Sequence, residues 1–187
     1  MGSIVLSVEP TAWPVSLPEF KARLKITHDD MNAELLRYIE AATEYAQEYQ
    51  WAQFCTATYV ERFDRFPGVF CLRRNPVQSV SSLAYVDTGG DSQTLVANTD
   101  YTVDIYAKPA RIVTAYNKSW PATRGHINDV TVTYVAGYGS PADIPEEIRT
   151  AILLKAEMLN GDCDRDANVM TNAIHALLDK RTFRGWL

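Results

Sequence analysis

The sequence predicts an α+β fold: a small α-helical bundle with a β-rich insertion between its second and third helices. Three observations point there. Apolar residues recur at helical spacing near both ends of the chain. The middle reads as strands, with helix signals absent for about eighty residues. Glycine- and proline-rich turns break the chain where the two patterns meet. The expected organisation is one domain over residues 1–187, with helical core segments 14–54 and 143–181, a β insertion at 55–139 and a tail at 182–187.

Each element has its own signal. Ser16-Leu17-Pro18-Glu19 has the spacing of a capping box, in which Ser16 and Glu19 would satisfy each other's backbone donors. Leu17, Phe20 and Leu24 then share one face of a short helix. Asp29, Asp30 and Asn32 offer a second cap, and the helix after it should run to about Trp51. Its apolar stripe is Leu35, Ile39, Ala42, Ala46 and Tyr49, the pattern of a helix packed along a neighbour.

Strand grammar begins near Thr56. Thr58–Phe63, Val77–Val86 and Asp129–Val135 are rich in valine, tyrosine, serine and threonine. Thr88-Gly89-Gly90-Asp91 reads as a hairpin turn, and Pro67-Gly68 as further punctuation. Tyr101–Ile105 and Arg111–Val113 flank a tight reversal at Lys108-Pro109-Ala110. Gly137-Tyr138-Gly139-Ser140-Pro141 returns the chain to helix, and Pro145 followed by Glu146 and Glu147 makes a well-formed N-terminus. Apolar residues from Ile148 to Leu159 cover most of that helix, so deep burial is expected. A last helix carries Met170, Ala173, Ile174, Leu177 and Leu178 on one face. The tail, Lys180-Arg181-Thr182-Phe183-Arg184-Gly185-Trp186-Leu187, leaves that pattern.

The composition is that of an ordinary globular protein: 187 residues, 47% hydrophobic and 22% charged. Cys55, Cys71 and Cys163 are scattered and odd in number, which suits reduced, buried thiols better than a disulfide framework or a zinc site. The first residues lack a basic n-region and a small-residue cleavage site, and no apolar run is long enough for a membrane span. Synthesis in the cytoplasm, with no membrane partner, is therefore expected.

The net charge of −5 argues against a general nucleic-acid binder, which would carry a basic stripe. The charge is also uneven. From Asp29 to Gln50 six acids stand against the single base Arg37, whereas the charged residues of the tail, Lys180, Arg181 and Arg184, are all basic. Glu40, Glu44 and Glu48 repeat at i,i+4, a spacing at which like charges destabilise a helix by about 0.2–0.5 kcal/mol per pair. They form either a solvated face or an acidic wall. In the tail, Phe183 and Trp186 flank Arg184, the residue types that dominate interfaces; packing back onto the protein's own surface is the alternative.

Catalytic patterns fail on inspection. His28, His126 and His175 stand singly, without metal-ligand spacing. Gly137–Pro141 is not a nucleophile elbow, because proline and alanine follow Ser140. No phosphate-binding glycine loop occurs. Asp162, Asp164 and Asp166 have the look of a calcium loop, but Ala167 replaces the turn glycine and Ala173 the closing glutamate. Neither an enzyme nor a cofactor is expected.

Several ordered segments carry a resemblance. They are His28-Asp29-Asp30, Ala41–Tyr45, Arg74-Asn75-Pro76-Val77-Gln78-Ser79-Val80, Tyr116–Pro121, Val135–Gly139 and Ile144-Pro145-Glu146. Together they resemble the head–tail connector (adaptor, head-completion) proteins of long-tailed bacteriophages and of gene transfer agents. That resemblance spans nearly the whole chain and supplies the function expected here. It implies a structural subunit, made in the host cytoplasm and resident in the neck of the particle. It also implies a ring of about a dozen subunits beneath the portal protein, closed by a heterologous contact. Such a ring extends the channel for double-stranded DNA, which passes without specific binding, and offers a platform to the next neck, stopper or tail protein. The family carries no catalytic motif. On this reading Arg181, Phe183, Arg184, Trp186 and Leu187 form a portal-binding tail, and Glu40, Glu44 and Glu48 an acidic channel wall or rim. The alternatives are another neck position, such as stopper or tail-completion protein, and a small binding module or hydrolase.

Overall fold

A computed structural model describes residues 2–161 and 167–181. Within them the chain divides into two compact units. One is built from residues 2–9 and 56–137, the other from residues 10–55, 138–161 and 167–181.

The first unit contains the β structure. Its five-stranded antiparallel sheet has the order β1 (Ser3–Val8), β2 (Ala57–Phe63), β8 (Val130–Ala136), β4 (Val77–Val86) and β5 (Ser92–Leu95). A smaller sheet orders β3 (Phe70–Cys71), β7 (Arg111–Thr114) and β6 (Tyr101–Asp104). Period-two alternation decides which faces are buried. On β8, Val130, Val132, Tyr134 and Ala136 are buried while Thr131, Thr133 and Val135 stay half-buried. The register places Tyr134 opposite Tyr59 and Ala136 opposite Ala57, so the buried faces of β2 and β8 coincide. Phe70, Leu72, Tyr101 and Ile112 fill the same core. Burying an aliphatic or aromatic side chain of this size stabilises a fold by about 1.5–3 kcal/mol.

Both expected hairpins are present. Residues 87–91 join β4 to β5, and residues 105–110 join β6 to β7. Strand β1 is an addition to the expected set. Ser3–Val8 reads in sequence as an apolar patch, yet it pairs with β2 along the sheet edge.

The second unit is a four-helix bundle of α1 (Leu17–Leu24), α2 (Asn32–Gln50), α3 (Glu146–Asn160) and α4 (Ala167–Leu178). The expected stripe of α2 is largely realised: Leu35, Ile39, Ala42 and Ala46 are buried, and Tyr49 packs against them half-buried. Ile148, Ala151, Ile152 and Ala156 of α3 join the same core, with Met170, Ile174 and Leu178 buried on α4. Alanines on both α2 and α3 let the two backbones approach closely. The α3 helix is amphipathic, against the expectation of burial all round. Leu159 is exposed, and Leu153 and Leu154 only pack against the core's edge.

Two caps differ from expectation. The Ser16 hydroxyl does accept from the Glu19 N–H, at 3.3 Å. The Glu19 carboxylate, however, binds Arg149 instead of returning to the Ser16 backbone. The N-cap position of α2 is Met31, with no side-chain cap, because Asp29 is engaged by Lys21 and Asn32.

The chain leaves and rejoins the helical unit at neighbouring points. Tyr138 donates its N–H to the Phe54 carbonyl at 2.8 Å, and Cys55 bridges to Gly139 in parallel. Gly139 has a φ of +127°, and a β-carbon there would meet the Asp143 carboxylate at 2.7 Å. That carboxylate accepts from both the Ser140 N–H and hydroxyl, which fixes the turn into α3.

Candidate assembly surfaces

The acidic face comes directly from the period of α2. With Leu35, Ile39, Ala42 and Ala46 turned to the core, Glu44 and Glu48 are exposed and Glu40 half-buried along the opposite side. Leu36, 37% exposed, continues the same i,i+4 row toward the helix start. The row combines like charges at helical spacing with water on its outer side, an arrangement that repels polyanions.

Near the far end of α2 the side chains interlock with α4. The Tyr45 hydroxyl lies 2.7 Å from His175 Nε2, and the Tyr49 ring stacks on His175 with centroids 4.7 Å apart. Tyr49 also donates its hydroxyl to Asp179 at 2.6 Å. Lys155 of α3 sits over the Tyr45 ring at 4.4 Å. Gln50 donates to the Leu178 carbonyl at 2.6 Å, satisfying the end of α4. The cluster fixes the direction in which the chain leaves α4. Arg181, the first of the expected tail contacts, lies 3.8 Å from Glu147 in the first turn of α3. Phe183, Arg184, Trp186 and Leu187 lie outside the described residues, as do Asp162, Cys163, Asp164 and Asp166.

A groove of about 510 Å³ opens beside α1, lined by Trp13, Pro14, Leu17, Leu36, Pro141 and Arg149 among others. Arg149 anchors it. Its guanidinium donates to both oxygens of Glu19 at 2.8 Å, to Glu146 at 2.6 Å and to the Pro14 carbonyl at 3.3 Å. Burial works against its charge, but Glu19 and Glu146 outweigh it and raise its pKa. Neither the groove nor the role of Arg149 is readable from local sequence, because Glu19 and Arg149 are far apart in the chain.

The β unit carries a buried polar cluster that the sequence did not announce either. Glu61, at an inward position of β2, is fully buried. It accepts from the Tyr134 hydroxyl at 2.7 Å and from the Arg73 N–H at 2.9 Å, with the Arg73 guanidinium 3.6 Å away. Burial, reinforced by the Glu61 charge, pushes the Tyr134 phenol far above its ordinary pKa. Asp129, also buried, accepts from the His126 N–H at 2.8 Å and from Arg124 at 2.7 Å. Burial opposes its ionisation, yet these donors prevail and hold its carboxyl below the usual value.

The three histidines serve local structure. His28 lies 3.7 Å from Asp30, His126 contributes a backbone donor, and His175 belongs to the tyrosine stack. Among the described residues no cluster of His, Cys, Asp and Glu is placed to hold a metal ion, and no helix is long and apolar enough to cross a membrane.

Residues 14–85, from the α1 cap through most of β4, fit the profile of the phage gp6-like head-tail connector protein family. That match covers less than half of the chain. No curated protein sequence matches it. Solved structures share its fold over nearly the full length. A chain from the neck of an empty gene transfer agent particle, computed with C6 symmetry, is 23% identical. It superposes with a TM-score of 0.74 over 97% of this chain and 95% of that one. The neck of a native particle, computed with C12 symmetry, gives 0.72 at 23% identity over 97% and 94%. A chain of the native virion gives 0.75 at 21% identity over 97% and 95%. The helical bundle and its β insertion are thus both parts of a fold found in particle necks.

Proposed function

We propose that this chain is a structural head–tail connector subunit in the neck of a phage or phage-like particle, and not an enzyme. The observation that carries this reading is the connector-family match over residues 14–85, joined to a fold shared over 97% of the chain with neck proteins. The subunits form a ring coaxial with the portal, a reading supported by the C12 symmetry of one similar neck.

In this ring the Glu40, Glu44 and Glu48 row of α2 contributes to the wall or rim of the DNA channel. A conduit must let phosphates slide, and carboxylates repel them. The tail formed by Arg181, Phe183, Arg184, Trp186 and Leu187 docks on the portal, with the aromatic side chains as anchors and the arginines as charge partners. The opposite end of the ring receives the next neck or tail protein.

Native mass spectrometry of the purified chain, alone and mixed with the portal ring, tests the assignment. A ring-sized species, or a portal complex gaining a full ring of copies, is expected. A chain that stays monomeric and ignores the portal would refute it.

A further inference from the structure

A ring closes through a heterologous contact, so each subunit must present two different, mutually complementary patches. We propose that the free edge of β1 in one copy pairs antiparallel with the uncovered half of β4 in the next, joining their large sheets across the subunit boundary. This inference rests on the ring assembly proposed above and names the contact that closes it.

The large sheet ends in two different open edges. At one end β1, six residues long, is bonded to β2 on one side only. At the other end β5 covers only the last four of the ten residues of β4, Leu83–Val86. The first six, Val77–Ser82, pair among the described residues with β8 alone. Both edges reach water: Val5, Leu6 and Val8 are exposed on β1, and Gln78, Ser79 and Ser81 on β4.

Soluble proteins usually guard such edges with charge, with proline or with a covering segment. Neither Ser3-Ile4-Val5-Leu6-Ser7-Val8 nor Val77-Gln78-Ser79-Val80-Ser81-Ser82 holds a charged residue or a proline. Val5 and Val8 are 50% and 57% exposed, where a β-branched side chain gains by pairing across strands.

Length and direction select these two edges for each other. Each offers six residues. Successive strands from β1 through β2 and β8 to β4 are antiparallel, so β1 and β4 run in opposite senses. Neighbouring copies in a twelvefold ring differ by a rotation of about 30°, which preserves strand sense. β1 of one copy therefore meets β4 of the next antiparallel, the more stable pairing, whereas it would meet β5 parallel. Pairing β1 with itself would also be antiparallel, but it closes at two copies. The register shifts of β4 against β8, at Val77/Ser79 and Val80/Ser82, bend and twist this edge, and a sheet continued round a ring needs such curvature.

Amide hydrogen exchange read by mass spectrometry tests the contact, on the free full-length chain and on the same chain assembled on the portal ring. In antiparallel pairing alternate amides face the partner, so about three of the six in each segment should slow on assembly. Val5→Lys and Ser81→Lys each place a guard at an exposed position. Each should need about tenfold more protein to assemble, with an unchanged thermal melt. Protection of both segments, with both variants impaired, supports the pairing. Protection of β1 alone would show a portal strand on that edge, and a dimer of the chain would show β1 paired with itself; either overturns the contact. Unchanged exchange in the assembled ring, or normal assembly of either variant, overturns it and leaves the ring reading intact. A parent chain that forms no ring, alone or on the portal, would overturn both.

Discussion

Tyr134 donates its hydroxyl to Glu61 across 2.7 Å in the interior of a β sheet, where both side chains are shut off from water. A lone buried carboxylate is costly, and this one is tolerated because the Tyr134 hydroxyl, the Arg73 N–H and the nearby Arg73 guanidinium converge on it. Tyr134→Phe removes one of those donors without changing the packing volume. It is expected to destabilise the chain by about 1–3 kcal/mol in urea denaturation, with an unchanged slope. A loss below a few tenths would show that the hydroxyl contributes little.

Arg149 ties α1, α3 and the segment before α1 together through Glu19, Glu146 and the Pro14 carbonyl. Arg149→Met should cost about 1–2 kcal/mol, a figure reduced because water reaches both partners. Thermal melts at low and high salt check this: the deficit should shrink as salt screens the pairs.

Acid should weaken the fold through its aspartates. Asp29, Asp87, Asp104, Asp129 and Asp143 all have pKa values below the ordinary carboxylate range. A lowered folded value means that the stabilisation is fully present above the unfolded pKa of about 3.9 and is lost as pH falls through the folded value. The melting temperature should therefore hold near neutrality and fall below that point. Asp129→Asn, which removes one of these groups, should flatten the acid limb; an unchanged slope would count against its share.

The thiols should react unequally. Burial raises the pKa of Cys55 to about 11, whereas Cys71 is exposed. Because the thiolate is the nucleophile, brief alkylation of the native protein near pH 8 should label Cys71 and spare Cys55. Peptide mapping distinguishes the two, and equal labelling would show that the helical unit opens readily.

Two further outcomes test the proposed roles in the particle. Truncation after Lys180 should abolish portal binding, and unchanged affinity would refute the tail assignment. Replacing Glu40, Glu44 and Glu48 together with lysine should impair DNA ejection or retention of packaged DNA, whereas normal infectivity would place that face elsewhere.

Much of this fold could be read from local pattern because local pattern caused it. The core positions of α2 follow its helical period, and those of β8 follow strand alternation. What escaped the reading depends on distant partners. Ser3–Val8 becomes a strand because β2 offers it an edge. Glu19 looks like half of a capping box until Arg149 claims it. The inward Glu61 resembles any charged residue in a half-exposed strand until Tyr134 and Arg73 surround it. The acidic row was visible as a spacing, but the groove needed residues brought together from several elements.

Phe54 and Tyr138, hydrogen-bonded at 2.8 Å, stand where the chain departs from the helical frame and where it returns. To the four helices, everything between is a single excursion whose two ends already touch. The entropy of closing such an excursion rises only by about 0.6 kcal/mol for each doubling of its length. The frame is therefore nearly indifferent to how large the inserted module is, provided that it starts and finishes at the same doorway. Over evolutionary time the bundle can stay constant while the cassette is lengthened, trimmed or exchanged, so that one helical chassis can be refitted for different neighbours.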